Sequence, residues 1–161
     1  MKHVSVKHYK TARCILHTED KFLLAIHHHA KAKSKGKWGL PGGHTESGEL
    51  LEDTVRRELT EELNIHVGDL HKIGDYPHND RWHRIYGAEY HGQIQSFDRK
   101  ELQEIAWYSL DQVLDLHECY QLHAGWEYAA VCEFKKILNL SLIHISEPTR
   151  LDARSRMPSS A

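Results

Sequence analysis

The stretch GGHTESGELLEDTVRRELTEELNI, Gly42 to Ile65, gathers a run of carboxylates and two adjacent arginines on what reads as one short helix. Leu51, Val55, Leu59 and Leu63 recur every four residues and give that helix an apolar stripe to bury. Ser47 reads as its N-cap, with Glu49, Glu52 and Asp53 in the first turns, where the helix dipole favours negative charge. The helix ends near Leu63, because Asn64 tolerates the left-handed backbone of a helix terminus. Beside the apolar stripe, Glu58, Glu61 and Glu62 stand at i, i+3 and i+4. Like charges so spaced repel by roughly 0.2 to 0.5 kcal/mol per pair unless a cation sits among them. A hard divalent ion such as Mg²⁺ or Mn²⁺ takes carboxylate oxygens together with water and phosphate, so it suits the cluster. The plain alternative is a solvated face laced by Glu52–Arg56 and Asp53–Arg57 pairs.

Working outward, TARCILHTEDKFLLAIHHH (Thr11 to His29) reads as two strands joined by a turn at Thr18 to Lys21. The triple histidine 27 to 29 closes the second strand; neighbouring strand residues point to opposite faces and cannot all reach one ion, so it reads as a polar strand end. AKAKSKGKW is a lysine-bearing loop and GLPGG a turn into the acidic helix. Downstream, HVGDLHKIGDY, WHRIYGAEYHGQI and EIAWYSL read as strands, SLDQVLDLHE as a short helix and GWEYAAVCEFKKIL as a longer one. Strands on both sides of one mid-chain helix, with helices at the end, predict an α+β fold, a mixed β-sheet sandwiched between helices.

The 161 residues suit one domain, and a net charge of −2 demands neither nucleic acid nor a membrane surface. Three cysteines without CxxC spacing point to a reducing compartment, with the cytoplasm the expected location. The N-terminus lacks an apolar signal core, and no apolar run is long enough for a membrane span. After Ile145 the chain is polar and without apolar period. LSLIHISEPTR resembles the translation of a transposase-derived sequencing adapter, and RSRMPSSA its outer end. Residues 1–139 are therefore read as the domain and 140–161 as an artefactual or disordered tail, with the natural C-terminus beyond Asn139 unknown.

The acidic helix and its approach resemble the Nudix hydrolase signature: Gly, five residues, Glu, seven residues, Arg-Glu, an apolar residue, any residue, Glu-Glu, any residue, Gly, and an apolar residue. Gly43, Glu49, Arg57, Glu58, Leu59, Glu61, Glu62 and Ile65 match, and Asn64 replaces the last Gly. The departure concerns helix termination rather than chemistry. KWGLPGG upstream and EIAW downstream are similar to segments flanking the signature in that family.

The resemblance implies the Nudix fold and metal-dependent hydrolysis, by water, of a nucleoside diphosphate linked to another group. It implies Glu58, Glu61, Glu62 and the carbonyl of Gly42 or Gly43 as ligands of Mg²⁺ or Mn²⁺, and Arg57 as the residue that orients Glu49. One of the cluster glutamates or a loop carboxylate, Glu104 ahead of Glu101, would activate the water. Lys35 and Lys37, with Lys31 and Lys33 nearby, and Trp38 are the candidate substrate contacts; Tyr76, Trp82, Tyr86 and Trp107 are further aromatics that either stack on a base or pack, three of the five being expected to pack. A small-molecule nucleoside diphosphate derivative is the expected partner, with nucleic acid and membrane not expected and a monomer or homodimer as the state. The rival functions are a non-catalytic nucleotide-binding regulatory module and an isomerase or RNA-decapping relative.

Overall fold

A computed structural model describes residues 8–156, with side chains through residue 141. Strands β1 (Tyr9–Thr18) and β2 (Lys21–His27) form the expected hairpin. Glu19 and Asp20 both take positive φ (47° and 60°), the two-residue turn whose twist matches paired strands. A 3-10 turn (Ala32–Ser34) leads to the short strands β3 (Trp38–Gly39) and β4 (Gly42–His44), and then to helix α1 (Leu51–Leu63). Strands β5 (His71–His78), β6 (Arg81–Glu89) and β7 (Leu102–Ser109) follow, with α2 (Leu110–Glu118) and α3 (Glu127–Arg156) at the end.

The strands run in the order β3-β2-β1-β6-β5, with β4 also on β1 and β7 also on β2. The β1–β6 pair is parallel and the other pairs are antiparallel, so the sheet is mixed, as expected. Strand alternation sends Ala12, Cys14 and Leu16 to one face, where they meet Val55, Leu59 and Leu63 of α1. Ile15 goes to the other, with Val113 of α2 and Ala130, Val131 and Phe134 of α3. The sheet is thus sandwiched between α1 and the α2–α3 pair.

Two local expectations need correction. α1 begins at Leu51 behind an uncapped Leu50, not at Ser47. A turn intervenes, in which the Glu49 amide donates to the Glu46 carbonyl and Glu49 in turn accepts from the Glu46 amide, so the side chain that caps locally is Glu49. β5 starts at His71, five residues later than the sequence pattern placed it, and swallows part of the expected connection before a turn at Asn79 and Asp80, both at positive φ. Helix α3 runs on to Arg156 without deciding between the two readings of residues 140–161. The helix end is as expected: Asn64 sits in the left-handed region (φ 53°, ψ 44°).

Ile137 and Leu138 pack on the sheet, whereas Leu140 is exposed. Truncation after Asn139 is therefore expected to leave the melting temperature and turnover nearly unchanged. A large fall in either would assign residues 140–161 a structural role.

Candidate active site

Two adjacent glycines bring the backbone of β4 against α1. Gly42 pairs with Arg13 of β1, and its amide donates to Glu62 Oε1 at 3.0 Å. At Gly43 a Cβ would stand 2.5 Å from Glu58 Cδ, so the absent side chain leaves the space the Glu58 carboxylate fills. Glu62 is 2% exposed, Glu58 is half-buried and Glu61 faces solvent at the mouth.

Arg57 organises the outer carboxylates. Its Nε donates to Glu49 Oε2 at 2.8 Å and its Nη2 to Glu49 Oε1 at 3.0 Å, a bidentate fork; its Nη1 donates to Glu58 at 2.9 Å and Glu61 at 3.2 Å. The Glu52–Arg56 and Asp53–Arg57 pairs of a solvated helix do not form: Arg56 donates to the carbonyls of Val67 and Gly68 instead. The Arg57 fork, with the Thr54 hydroxyl and Glu46 amide, holds the Glu49 carboxyl down at about 2. Glu58 and Glu62 move the other way, up to about 7 each. Burial is the main cause for both; the charge of Glu62 adds to it at Glu58, while the Gly42 amide and Arg13 partly offset it at Glu62.

These groups face a cavity of about 760 Å³, large enough for a nucleotide-sized ligand. Glu58, Glu61 and Glu62 line one side with Asp98 and Glu101. Lys10, Arg13 and Lys31 also line it, as do His27, His78, His83 and His123.

Several expected residues lie elsewhere. Glu104 points to solvent on β7, in register with Ile26, and the loop carboxylate on the cavity is Glu101, from the connection before that strand. Lys35 and Lys37 are not on the lining. The 3-10 turn buries Ser34, whose hydroxyl donates to the His123 carbonyl, and this leaves Lys31 as the loop lysine facing the cavity. Trp38 packs edge-on against Tyr108 at 5.1 Å. None of the five candidate aromatics lines the cavity: Tyr76 stacks on Trp126, Tyr86 is buried and Trp107 packs on the α1 side. The histidine wall, Arg13 and Lys10 went unread. Only the position of Arg13 among apolar neighbours on β1 hinted that its charge is drawn part-way into the protein.

Among the described residues, no three His, Cys, Asp or Glu side chains stand at metal-ligand spacing, since Arg57 draws Glu49, Glu58 and Glu61 to itself. The donor set nevertheless suits a hard divalent cation. Glu58 and Glu62 are oxygen donors whose proximity raises the cost of ionisation, the cradle at Gly43 holds one of them in place, and the exposed Glu61 stands beside them, paired with Arg57 at 3.2 Å.

The enclosed ionisable groups fix an expected pH response. Burial first, and nearby cations such as Arg13 after it, hold His27 and His123 at about 3 and His83 at about 4. A base with a lowered folded pKa stabilises the fold above its ordinary value of about 6.5 and loses that contribution as pH falls. The raised Glu58 and Glu62 act oppositely: their contribution is full below about 4.5 and is lost as pH rises through 7. From pH 7 to 5 each group changes stability by about 2 kcal/mol, and three histidines against two glutamates leave a net loss of roughly 2 kcal/mol, so the melting temperature of the metal-free protein should fall by only a few degrees. With both glutamates changed to Gln the histidines act alone, and the fall over the same range should be roughly three times as large. Equal slopes in calorimetric melts of parent and variant would refute the opposition.

A family model for the NUDIX domain matches residues 7–126. The chain belongs to the Nudix family. This Nudix chain is 40% identical over 58 residues to "Uncharacterized Nudix hydrolase YvcI" of Bacillus subtilis, covering 36% of this chain and 34% of that protein. It is 31% identical over 119 residues to "NAD-capped RNA hydrolase NudC" of Photorhabdus laumondii, covering 69% of this chain and 44% of that protein. It therefore spans a third to under half the length of these curated relatives. Among solved structures, the NUDIX domain of Shewanella oneidensis NrtR, complexed with ADP ribose, superposes with a TM-score of 0.65 at 21% identity over 84% of this chain and 90% of that one. A MutT NUDIX hydrolase from Burkholderia pseudomallei gives 0.59 at 24% identity over 66% and 87%. Both likenesses are of fold. Among the described residues, no helix is long and apolar enough to cross a membrane.

Proposed function

We propose that this Nudix chain hydrolyses the diphosphate linkage of a nucleoside diphosphate joined to a second group, with Mg²⁺ or Mn²⁺ as cofactor. The observation that carries the reading is the meeting of Glu58 and Glu62, both pushed up to about 7, with the glycine pair at the wall of a nucleotide-sized cavity. Isolated carboxylates in such a place would be a liability to the fold, and a function that needs them accounts for their presence.

Glu58, Glu61 and Glu62, with the Gly42 carbonyl, would hold the cation, which when bound neutralises diphosphate charge and lowers the pKa of water. The chain's own residues do the rest. Arg57 keeps Glu49 ionised and fixes the flank of α1 by its bidentate fork, so the carboxylates stay aimed at the cavity. Glu101, which faces the cavity close enough to raise the cost of ionising Glu62, takes the part of loop carboxylate and accepts a proton from the attacking water; Glu58 is the other candidate. The half-buried Arg13 guanidinium, whose Nη1 donates to the Leu40 carbonyl at 2.9 Å, faces the cavity as a fixed positive charge.

The NudC relatives, named as NAD-capped RNA hydrolases, place NAD and NAD-capped RNA beside modified nucleoside triphosphates, ADP-ribose and nucleotide sugars among the substrates to be compared. The test is a turnover screen of the purified protein on these compounds, with Mg²⁺, with Mn²⁺ and with chelator. Metal-dependent release of a nucleoside monophosphate or of phosphate products from at least one supports the reading. Nucleotide binding without turnover of any would instead favour the non-catalytic regulatory module.

A further inference from the structure

The cavity is charged unequally by origin. Its carboxylates come from the β4–α1 connection, α1 and residues 98–101, and Arg57 of α1 is paired with Glu46, Glu58 and Glu61; its other cations, Lys10, Arg13 and Lys31, come from β1 and the β2–β3 connection. Metal ligands and their counter-charges account for the first group; Arg13 partly offsets the charge of Glu62, and nothing in the metal cluster requires Lys10 or Lys31.

Three features set these cations apart from ordinary surface charge. Arg13 is half-buried, and its one short side-chain hydrogen bond, from Nη1 to the Leu40 carbonyl, uses one of its five N–H donors. Lys10 and Lys31 make no ion pair or side-chain hydrogen bond among the described residues. Lys10 is held below its ordinary range by burial and then by Lys31, Arg13 and Arg81, so these cations lie near enough to oppose one another. The neighbouring His44 and His78 are held below their ordinary range by burial and then by Lys10 and Arg13. Three cations facing a shared space without a carboxylate in contact await an anion. The arginine fork and two ammonium groups suit the tetrahedral oxygens of a phosphate.

We propose that Lys10, Arg13 and Lys31 form a subsite for a further phosphate group of the substrate, beyond the two joined by the scissile anhydride. This rests on the hydrolase reading above and narrows it to substrates with at least three contiguous phosphates, the nucleoside triphosphates and dinucleoside polyphosphates. Diphosphates whose second group is a neutral sugar leave the subsite unfilled.

The test has a binding arm and a turnover arm. Inorganic triphosphate is titrated calorimetrically into the protein in the presence of chelator, at low and moderate salt. The parent should bind it more tightly at low salt, the Lys10→Ala/Lys31→Ala variant should bind it about tenfold more weakly or worse, and Lys10→Arg/Lys31→Arg should recover most of the affinity. In turnover, the double alanine variant should raise KM for a nucleoside triphosphate about tenfold more than KM for ADP-ribose, with kcat for the triphosphate little altered. Unchanged triphosphate binding, or an equal rise of KM for both substrates, would overturn the subsite. Absence of all turnover would count against the hydrolase reading alone, because the chelated binding arm decides the subsite without it.

Discussion

Glu58→Gln and Glu62→Gln are each expected to lower turnover by about a hundredfold or more, the scale on which loss of a main electrostatic contributor to the transition state is felt. The fold should respond in the opposite direction. At pH 8 both carboxylates are ionised although burial, and at Glu58 the charge of Glu62, push them up to about 7; removing one charge should stabilise the metal-free protein by about 1 kcal/mol or more. Gln keeps the shape, so the oxygen that accepts the Gly42 amide can be replaced in kind, and Arg57 retains Glu49. Mg²⁺ or Mn²⁺ should raise the melting temperature of the parent by mass action, and that rise should shrink in both variants. Variants that keep full turnover, or that unfold without metal, would make these glutamates structural and leave the proposed chemistry without its residues.

How much of this was readable depended on the range of the interactions. The end of α1 at Asn64, the Glu19–Asp20 turn and the i, i+4 relation of Glu58 to Glu62 are decided by residues a few positions apart, and the sequence displays them directly. The mixed sheet followed from the order of strands and helices. The start of α1 was misread although it too is local, since Ser47 has the chemistry of a cap but a turn places Glu49 nearer the helix, where Arg57 and Thr54 claim it.

Apart from Lys31, offered with the other loop lysines, the cation side went unread for a different reason. Lys10 and Lys31 are 21 positions apart, and the histidines that join them in the cavity, His27, His78 and His123, come from three separate segments. Such convergence is a product of the sheet order, and no periodicity encodes it. The lysine loop shows the limit most plainly. Its composition promised phosphate contact for Lys35 and Lys37, and one 3-10 turn that buries Ser34 gives the cavity position to Lys31.

Gly42 and Gly43 stand side by side, and substitution by Ala is expected to separate their roles. At Gly42 a Cβ would come within 2.4 Å of the Ala12 carbonyl oxygen and 2.6 Å of Arg13 Cα, at a φ of +140° that L side chains rarely adopt. Backbone of the central strand has to move, so Gly42→Ala should cost at least about 2 kcal/mol and impair folding itself. At Gly43 the atoms within reach are the carboxylate of Glu58, at 2.5 to 2.7 Å, the far end of a flexible side chain. That carboxylate can swing away, and Arg57, which already holds it at 2.9 Å, gives it somewhere to go. Gly43→Ala should therefore melt within a degree or two of the parent while turnover falls about a hundredfold, since a displacement of about 1 Å in a reacting constellation is worth that much. Gly68→Ala, where a Cβ meets nothing within 4 Å, serves as the control for a glycine replacement without either consequence. Melting curves and steady-state turnover on the three variants decide it. If Gly43→Ala keeps full turnover with an unaltered melting temperature, the position of Glu58 against β4 is not what the reaction depends on, and the cradle between β4 and α1 is packing alone.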